Sequence, residues 1–273
     1  VARAIVLLGG QARVMAALGG VTGARLATLI TDAGLDLLRF DLPDETRQSL
    51  SVIDLHDGGQ YRFILPGPHW SAGQSEGLLA RAADAAGSGG WVVLSGSQPP
   101  GVADDFPTQL AARLAPGAAH LVVDTSGAAL AHLVAGGHGA MPWCLRMDQA
   151  EAEEAAGRPL PTVTDTLAFA GELTARGVAR VVVLARGAEG SVLAGEGARL
   201  HCRPPEVPVK SKTGAGDSFT GAFILALAQG DDLARALRRA TAAAAAAVMT
   251  GATELCRRED AERLVEGCTM TSL

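Results

Sequence analysis

The residues best suited to do chemistry form a short glycine loop, Gly214-Ala215-Gly216-Asp217, in front of a helical pattern predicted from Ser218. A glycine loop that runs into a helix lets backbone N–H groups converge on an anion such as a phosphoryl group. A carboxylate beside that anion can accept the proton of an attacking hydroxyl. The pattern therefore favours phosphoryl transfer, with Asp217 as the base and Gly214, Ala215 and Gly216 as the anion hole. The alternative is a flexible turn that Asp217 merely caps.

Two other kinds of active site find no support in the sequence. The pattern Gly-x-x-x-x-Gly-Lys followed by Ser or Thr does not occur, which excludes a P-loop. Ser97 and Ser191 lack the Gly-x-Ser-x-Gly context of a hydrolase nucleophile.

Composition narrows the possible partners. The formal net charge is -6, and no run of Lys and Arg is longer than a pair, so we expect no nucleic-acid partner. The four cysteines are far apart and lack the spacing of a zinc site. No apolar stretch approaches the roughly 20 residues that cross a bilayer. We therefore expect a cytoplasmic protein with reduced cysteines and no membrane partner.

Short β-branched runs alternate with helical patterns along the middle of the chain. This alternation indicates right-handed crossovers and a mostly parallel sheet covered on both faces. The predicted fold class is therefore doubly wound α/β, with residues 1–273 as a single domain. Strands are predicted at 91–94, 120–123 and 181–184, and helices at 1–8, near 104–114, near 127–134 and at 233–249.

Residues 41–66 have a different pattern from the rest of the chain. Segments 49–54 and 60–65 flank the turn Asp57-Gly58-Gly59, which predicts an antiparallel hairpin. We interpret this insertion as a small β lid over the α/β domain.

The glycine loop belongs to a longer motif. Ser211-Lys212-Thr213-Gly214-Ala215-Gly216-Asp217 resembles the C-terminal signature of the PfkB (ribokinase-like) carbohydrate kinases, and the resemblance extends over essentially all 273 residues. Asp148-Gln149-Ala150-Glu151 is similar to the family's Asn-x-x-Glu motif, and 184–190 to its Gly-x-x-Gly strand and turn at the ATP site. Residues Ala2, Gly9 and Gly19 fit the tail of its N-terminal signature, and 251–256 resembles its adenine-side loop.

This resemblance implies ATP as the cosubstrate and Mg²⁺ as the cofactor. It places Glu151 near Mg²⁺, acting through water, because that ion keeps much of its hydration. Without the family, Asp148 and Glu151 are first-turn acids favoured by the helix dipole, and the glycines at 187 and 190 form a hairpin turn. The residues implied in ATP binding are Asp148, Gly187, Gly190, Lys212, Gly214 and Gly216.

The sugar side of the site resembles one branch of the family. Segments 45–48, 61–63, 66–67 and 95–101 look most like the minor-type 6-phosphofructokinases, which implies phosphorylation of fructose 6-phosphate to fructose 1,6-bisphosphate, a step of glycolysis. The implied substrate-binding residues are Arg47 on the lid, Ser97 and Asp217. Taken alone, Arg47 is better explained as a solvated hairpin arginine, and Ser97 is equally compatible with a plain βα-turn serine.

Two alternatives stay open. A kinase for fructose 1-phosphate or tagatose 6-phosphate has the same fold and loop, although Arg47-Gln48 argues mildly against it. A catalytically impaired paralogue that binds sugar phosphate or nucleotide belongs to another functional class.

Three positions depart from the common family pattern. Asp148 replaces Asn, Ala185 replaces Ser or Thr, and Lys212 replaces Thr, so we expect weaker nucleotide binding that Lys212 partly offsets. Family members begin with a strand and a Gly-Gly-x-Gly-x-Asn segment, which leads us to expect an incomplete N-terminus before Val1. The resemblance also implies a homodimer formed through the lid.

Overall fold

The computed structural model describes residues 1–54, 56, 59–137, 139–251 and 254–273. In these residues, runs of β-branched and aliphatic side chains form the strands, as β propensity predicts. The strands are β1 (Arg13–Leu18), β2 (Asp36–Asp41), β3 (Ser49–Ile53), β4 (Gln60–Ile64), β5 (Trp91–Ser95), β6 (His120–Asp124), β7 (Cys144–Met147), β8 (Val181–Ala185), β9 (Ser191–Gly195), β10 (Ala198–Arg203) and β11 (Thr269–Ser272).

Helices connect most of these strands. Several begin at side-chain caps, among them α3 at Ser71 and α7 at Thr162, where a hydroxyl accepts a hydrogen bond from a free backbone N–H. The helices are α1 (Ala2–Leu7), α2 (Gly20–Asp32), α3 (Ala72–Ala86), α4 (Phe106–Leu114), α5 (Ala128–Ala135), α6 (Gln149–Ala156), α7 (Val163–Ala175), α8 (Ala215–Ala228), α9 (Leu233–Val248) and α10 (Arg258–Val265).

The main sheet has the strand order β11-β10-β9-β8-β7-β6-β5. Strands β5 to β8 are parallel neighbours, and β8 to β11 continue the sheet as antiparallel neighbours. The parallel pair β1-β2 forms a separate sheet. The predicted α/β class is confirmed, and the carboxyl ends of β5 to β8 share one edge, where such folds collect ligands.

Both faces of the main sheet are covered. Along β8, Val182 and Leu184 face the cluster that includes α4, α5 and α7, whereas Val181 and Val183 face the cluster that includes α8, α9 and α10. This alternation follows from the two-residue period of a strand. The alanine-rich α9 presents small buried side chains to α8, so the two helices pack closely behind the glycine loop.

The predicted hairpin is present as β3 and β4, paired antiparallel from Ser49 opposite Ile64 to Ile53 opposite Gln60. We call these two strands the lid hairpin. Two residues of its predicted turn, Asp57 and Gly58, lie outside the described residues.

Helix α8 begins earlier than the sequence predicts. Its first residue is Ala215 rather than Ser218, because Gly214 takes a left-handed conformation (φ +83°) and forms the N-cap. The interpretation of Asp217 as the cap is therefore wrong, since Asp217 lies in the first turn. None of the helices in the described part of the chain is both long and apolar enough to cross a membrane.

Candidate active site

The glycine loop fixes the N-terminus of α8. At Gly214 a side chain would need an unfavourable backbone conformation, and its Cβ would lie 2.6 Å from Leu255 Cδ2. The loop is tied to the following segment by the fully buried Ser218, whose Oγ accepts a hydrogen bond from Cys256 N at 3.3 Å. Gly214, Gly216 and Asp217 of this helix start line an open cavity, and a helix N-terminus beside a cavity is suited to bind an anion.

Asp217 lies at the rim of that cavity, with its side chain 47% exposed. The nitrogen of Val1 donates a hydrogen bond to its Oδ1 at 3.2 Å, because α1 packs against α8. The cavity has a volume of about 240 Å³ and is polar, and its lining combines the carboxyl ends of the parallel strands with the glycine loop. The lining residues are Ser95, Gly96, Asp124, Thr125, Ser126, Arg146, Glu151, Gly214, Gly216 and Asp217.

Sequence reasoning missed two charged residues of the cavity. Arg146 on β7 lies beside the glycine loop, where a Cβ on Gly216 would be 3.1 Å from its Nη1. Arg146 Nη1 donates to Asp124 Oδ1 at 3.3 Å, and Thr220 Oγ1 donates to Asp124 Oδ2 at 3.1 Å. The Nε of Arg146 is buried and has no hydrogen-bond partner within the described ranges, while the residue as a whole lines the cavity.

A signal for both residues was present in the sequence. Asp124 directly follows the strand predicted at 120–123, and Arg146 lies two residues before the acidic motif at 148–151. Polar residues at the carboxyl ends of parallel strands converge, which points to Asp124, whereas the strand that carries Arg146 was not predicted.

Asp148 and Glu151 begin α6 as a capping box. Asp148 Oδ1 accepts from Glu151 N at 2.9 Å, and Glu151 Oε2 accepts from Asp148 N at 2.8 Å. Burial raises the pKa of the Glu151 carboxyl above its ordinary value. The hydrogen bond from the Asp148 N–H lowers this pKa, whereas the neighbouring Asp148 charge raises it further. Glu151 therefore has a structural role in the helix and also faces the cavity.

The two predicted sugar-side residues meet each other beside the cavity. Arg47 Nη2 and Ser97 Oγ are 3.5 Å apart, and the arginine stem crosses Gly67, where a Cβ would be 3.5 Å from Arg47 Cδ. Both side chains are exposed. Ser97 directly follows the cavity-lining Gly96, so the pair of Arg47 and Ser97 is next to the cavity through Ser97, although neither residue lines it.

Four of the residues predicted for ATP binding do not line the cavity, namely Asp148, Gly187, Gly190 and Lys212. Gly187 and Gly190 flank a short 3-10 turn after β8, both with positive φ, and a Cβ on Gly190 would lie 1.9 Å from Cys202 O. Lys212 is exposed in the loop before α8. In the predicted adenine-side loop, Ala252 and Thr253 lie outside the described residues.

The model of the pfkB family of carbohydrate kinases matches residues 1–260. The chain belongs to the PfkB family of carbohydrate kinases.

The chain is similar to two curated relatives and to one enzyme of known structure. The ATP-dependent 6-phosphofructokinase isozyme 2 of Mycobacterium tuberculosis is 36% identical, covering 97% of this chain and 77% of the relative. The 1-phosphofructokinase of Xanthomonas campestris is 30% identical, covering 86% and 74%. Phosphofructokinase-2 of Escherichia coli, at 32% identity and coverage of 97% and 84%, has TM-scores of 0.87 with fructose-6-phosphate bound and 0.88 in its tetrameric inhibited form.

As a PfkB kinase the chain uses ATP as its cosubstrate. The family explains why a glycine loop, a half-exposed aspartate and a largely covered arginine share one cavity, since phosphoryl transfer needs little more than positioning and charge stabilisation.

Proposed function

We propose that this PfkB kinase transfers the γ-phosphoryl group of ATP to the 1-hydroxyl of fructose 6-phosphate. The observation that carries the proposal is that Asp217 and the glycine loop line one cavity, while Arg47 contacts Ser97, the residue that directly follows the cavity-lining Gly96. Relatives at 32–36% identity named for this reaction support the substrate.

In the proposed step the hydroxyl oxygen forms a bond to the γ-phosphorus while the bond from that phosphorus to the bridging oxygen of ADP breaks. Asp217 accepts the hydroxyl proton. The N–H groups at the start of α8 and the Arg146 guanidinium stabilise the charge on the phosphoryl oxygens. Asp124 holds Arg146 in place, because it occupies one edge of the guanidinium at 3.3 Å.

The carboxylates around the cavity fit Mg²⁺, which prefers oxygen ligands and retains water. Within the described part of the chain no cluster of three or more His, Cys, Asp or Glu could hold a metal ion by itself. We therefore propose that Mg²⁺ binds with the ATP phosphates, and that Glu151 holds it through water. Bound there, the ion would neutralise phosphate charge during transfer.

The sugar phosphate is proposed to bind through Arg47. A guanidinium donates two parallel hydrogen bonds to a phosphate, and the exposed Arg47 contacts Ser97, next to the cavity-lining Gly96. Ser97 then hydrogen-bonds the substrate from the carboxyl end of β5.

A coupled ADP-release assay on the full-length protein tests the function. We expect turnover with fructose 6-phosphate that exceeds turnover with fructose 1-phosphate and tagatose 6-phosphate, and that disappears in D217N. Faster turnover with either alternative sugar phosphate would show that fructose 6-phosphate is not the preferred substrate. Ligand binding without turnover above the D217N control would show an impaired paralogue and overturn the enzymatic proposal.

We also propose that the lid hairpin forms a homodimer. Leu50 pairs with Phe63 and Val52 with Tyr61, so these four side chains share one face, and each is about half exposed. Such a face favours burial against a second copy. The tetrameric form of the Escherichia coli relative supports self-association.

Light scattering coupled to size-exclusion chromatography tests the dimer. We expect a dimer at micromolar concentration that F63D converts to a monomer, because a charge on this face cannot be buried without a partner. The control is V209D, since Val209 is an exposed apolar residue away from the hairpin. A monomeric wild-type protein would contradict the proposal.

A further inference from the structure

The segment just before the lid hairpin is held in a recess at the start of α2. We call Gly19, Gly20 and Gly23 the lid socket. We propose that Glu45 and Thr46, docked in this socket, are positioning residues for Arg47 and thereby set the affinity for the sugar phosphate. The inference rests on the proposed function, since it concerns the same substrate site.

Thr46 makes the closest set of contacts with the socket. Its backbone N–H donates to Gly19 O at 3.0 Å, its Oγ1 accepts from Gly19 N at 2.9 Å, and the same hydroxyl lies 3.2 Å from Gly19 O as a donor. One residue therefore satisfies both polar groups of the Gly19 backbone. This contact leaves Thr46 little freedom, because three hydrogen bonds fix both its backbone and its side chain.

Glu45 occupies the free N-terminus of α2. Its Oε1 accepts from Thr22 N at 2.6 Å and its Oε2 accepts from Val21 N at 3.1 Å. Hydrogen bonds from the Thr22 side chain and backbone hold the pKa of Glu45 below its ordinary value, so the carboxylate stays charged at neutral pH. A charged carboxylate at this position also interacts favourably with the helix dipole. Gln48 adds a contact on the other side of Arg47, donating from Nε2 to Thr22 Oγ1 at 3.1 Å.

The three glycines make room for this docking. A Cβ on Gly19 would lie 2.0 Å from Asp44 O, one on Gly20 would lie 1.5 Å from Glu45 Oε2, and one on Gly23 would lie 2.8 Å from Thr46 Oγ1. Only glycine permits such an approach at Gly19, where the obstacle is backbone. The socket is thus shaped to receive the 44–46 segment.

The consequence concerns Arg47, whose own side chain has few restraints. It is exposed, and its contact with Ser97 is long at 3.5 Å. Its backbone is fixed by Glu45 and Thr46 before it and by Gln48 after it. Fixing the backbone reduces the conformational entropy that Arg47 loses when it binds a phosphate. Loss of the anchors should therefore weaken sugar-phosphate binding and leave the transfer step unchanged.

Steady-state kinetics on the full-length protein tests the inference. We compare T46V, which removes the hydroxyl, with T46S, which keeps it, and add E45A. The control is T31V, because Thr31 lies on the same helix and donates only within it, to Ala27 O and Thr28 O. The expected result for T46V and E45A is a rise of about fivefold or more in KM for fructose 6-phosphate, consistent with the loss of one or two hydrogen bonds.

In these variants kcat and the KM for Mg-ATP should stay within about twofold of the wild type, while T46S and T31V should match it throughout. An unchanged sugar-phosphate KM in both T46V and E45A would overturn the inference. A similar rise in the KM of both substrates together with a fall in kcat would also overturn the inference, since that pattern marks a general structural defect. Absence of turnover in the wild type itself would instead contradict the proposed function.

Discussion

The two halves of the candidate site are built differently. On the α8 side, Arg146 and Asp124 have side chains only 15% exposed, and they are held between the main sheet and α8. On the lid side, Arg47 and Ser97 are exposed and meet at 3.5 Å. The first half belongs to the packed core, whereas the second depends on a few surface hydrogen bonds around the lid socket.

This difference separates two tasks. Groups that stabilise a transition state must be fixed before the reaction, and a packed core provides that rigidity. A lid has to admit a substrate, so its residues belong on the less stable part of the fold. Substitutions on the α8 side should therefore act on kcat, and those on the lid side on KM.

The largest effect is expected for D217N. Asparagine keeps the shape of the side chain but cannot accept the hydroxyl proton, so kcat should fall by about a thousandfold. Because Asp217 is half exposed, the midpoint of thermal unfolding should hardly change. Rapid-quench measurement of a single turnover checks the chemical step directly. A kcat within tenfold of the wild type would remove Asp217 from the role of base.

A smaller effect is expected for R47A, and it should act on the KM for fructose 6-phosphate more than on kcat. Losing a charge-assisted contact of about 1.5–3 kcal/mol should raise the KM for fructose 6-phosphate by about 10- to 100-fold, with a lesser change in kcat. R39A is the matched control, because Arg39 is another exposed arginine and pairs with Asp41 at 2.5 Å. If R47A lowered kcat and left KM unchanged, the assignment of KM effects to the lid side and kcat effects to the α8 side would be wrong.

The smallest effect is expected for E151Q and concerns the pH dependence of the free energy of unfolding. Burial raises the pKa of Glu151 in the folded state, so the folded protein binds more protons than the unfolded one just above the ordinary value of 4.5. Glu151 therefore lowers the free energy of unfolding as pH rises through this window. Glutamine removes that penalty, and E151Q should unfold at the same or a slightly higher temperature than the wild type at neutral pH.

Differential scanning calorimetry at pH 4 and pH 7.5 measures this difference, which should be larger at pH 7.5. The same variant should need about tenfold more Mg²⁺ for its half-maximal rate. E151Q that is clearly less stable than the wild type at neutral pH would show that the capping box outweighs the burial of charge.

Local patterns in the sequence were sufficient for about half of the helices and strands and for part of the candidate site. The strands at 91–95, 120–124 and 181–185 and the lid hairpin follow from β-branched runs and turn residues, which act over a few neighbours. The glycine loop was recognisable because its chemistry lies within four consecutive residues. The start of α8 was misplaced because helix ends depend on a single backbone conformation, here that of Gly214.

By itself, the sequence determined the α/β class, the family motifs and the identities of Asp217, Glu151, Arg47 and Ser97 as candidates. Only the tertiary structure decided that Arg146 and Asp124 line the same cavity as Asp217 and that Thr46 is hydrogen-bonded to the backbone of Gly19. Asp124 and Thr220 are 96 residues apart, and no local propensity encodes such a contact. Packing of α8 against the sheet brings them together, because burying the apolar faces of both elements fixes where their polar ends meet.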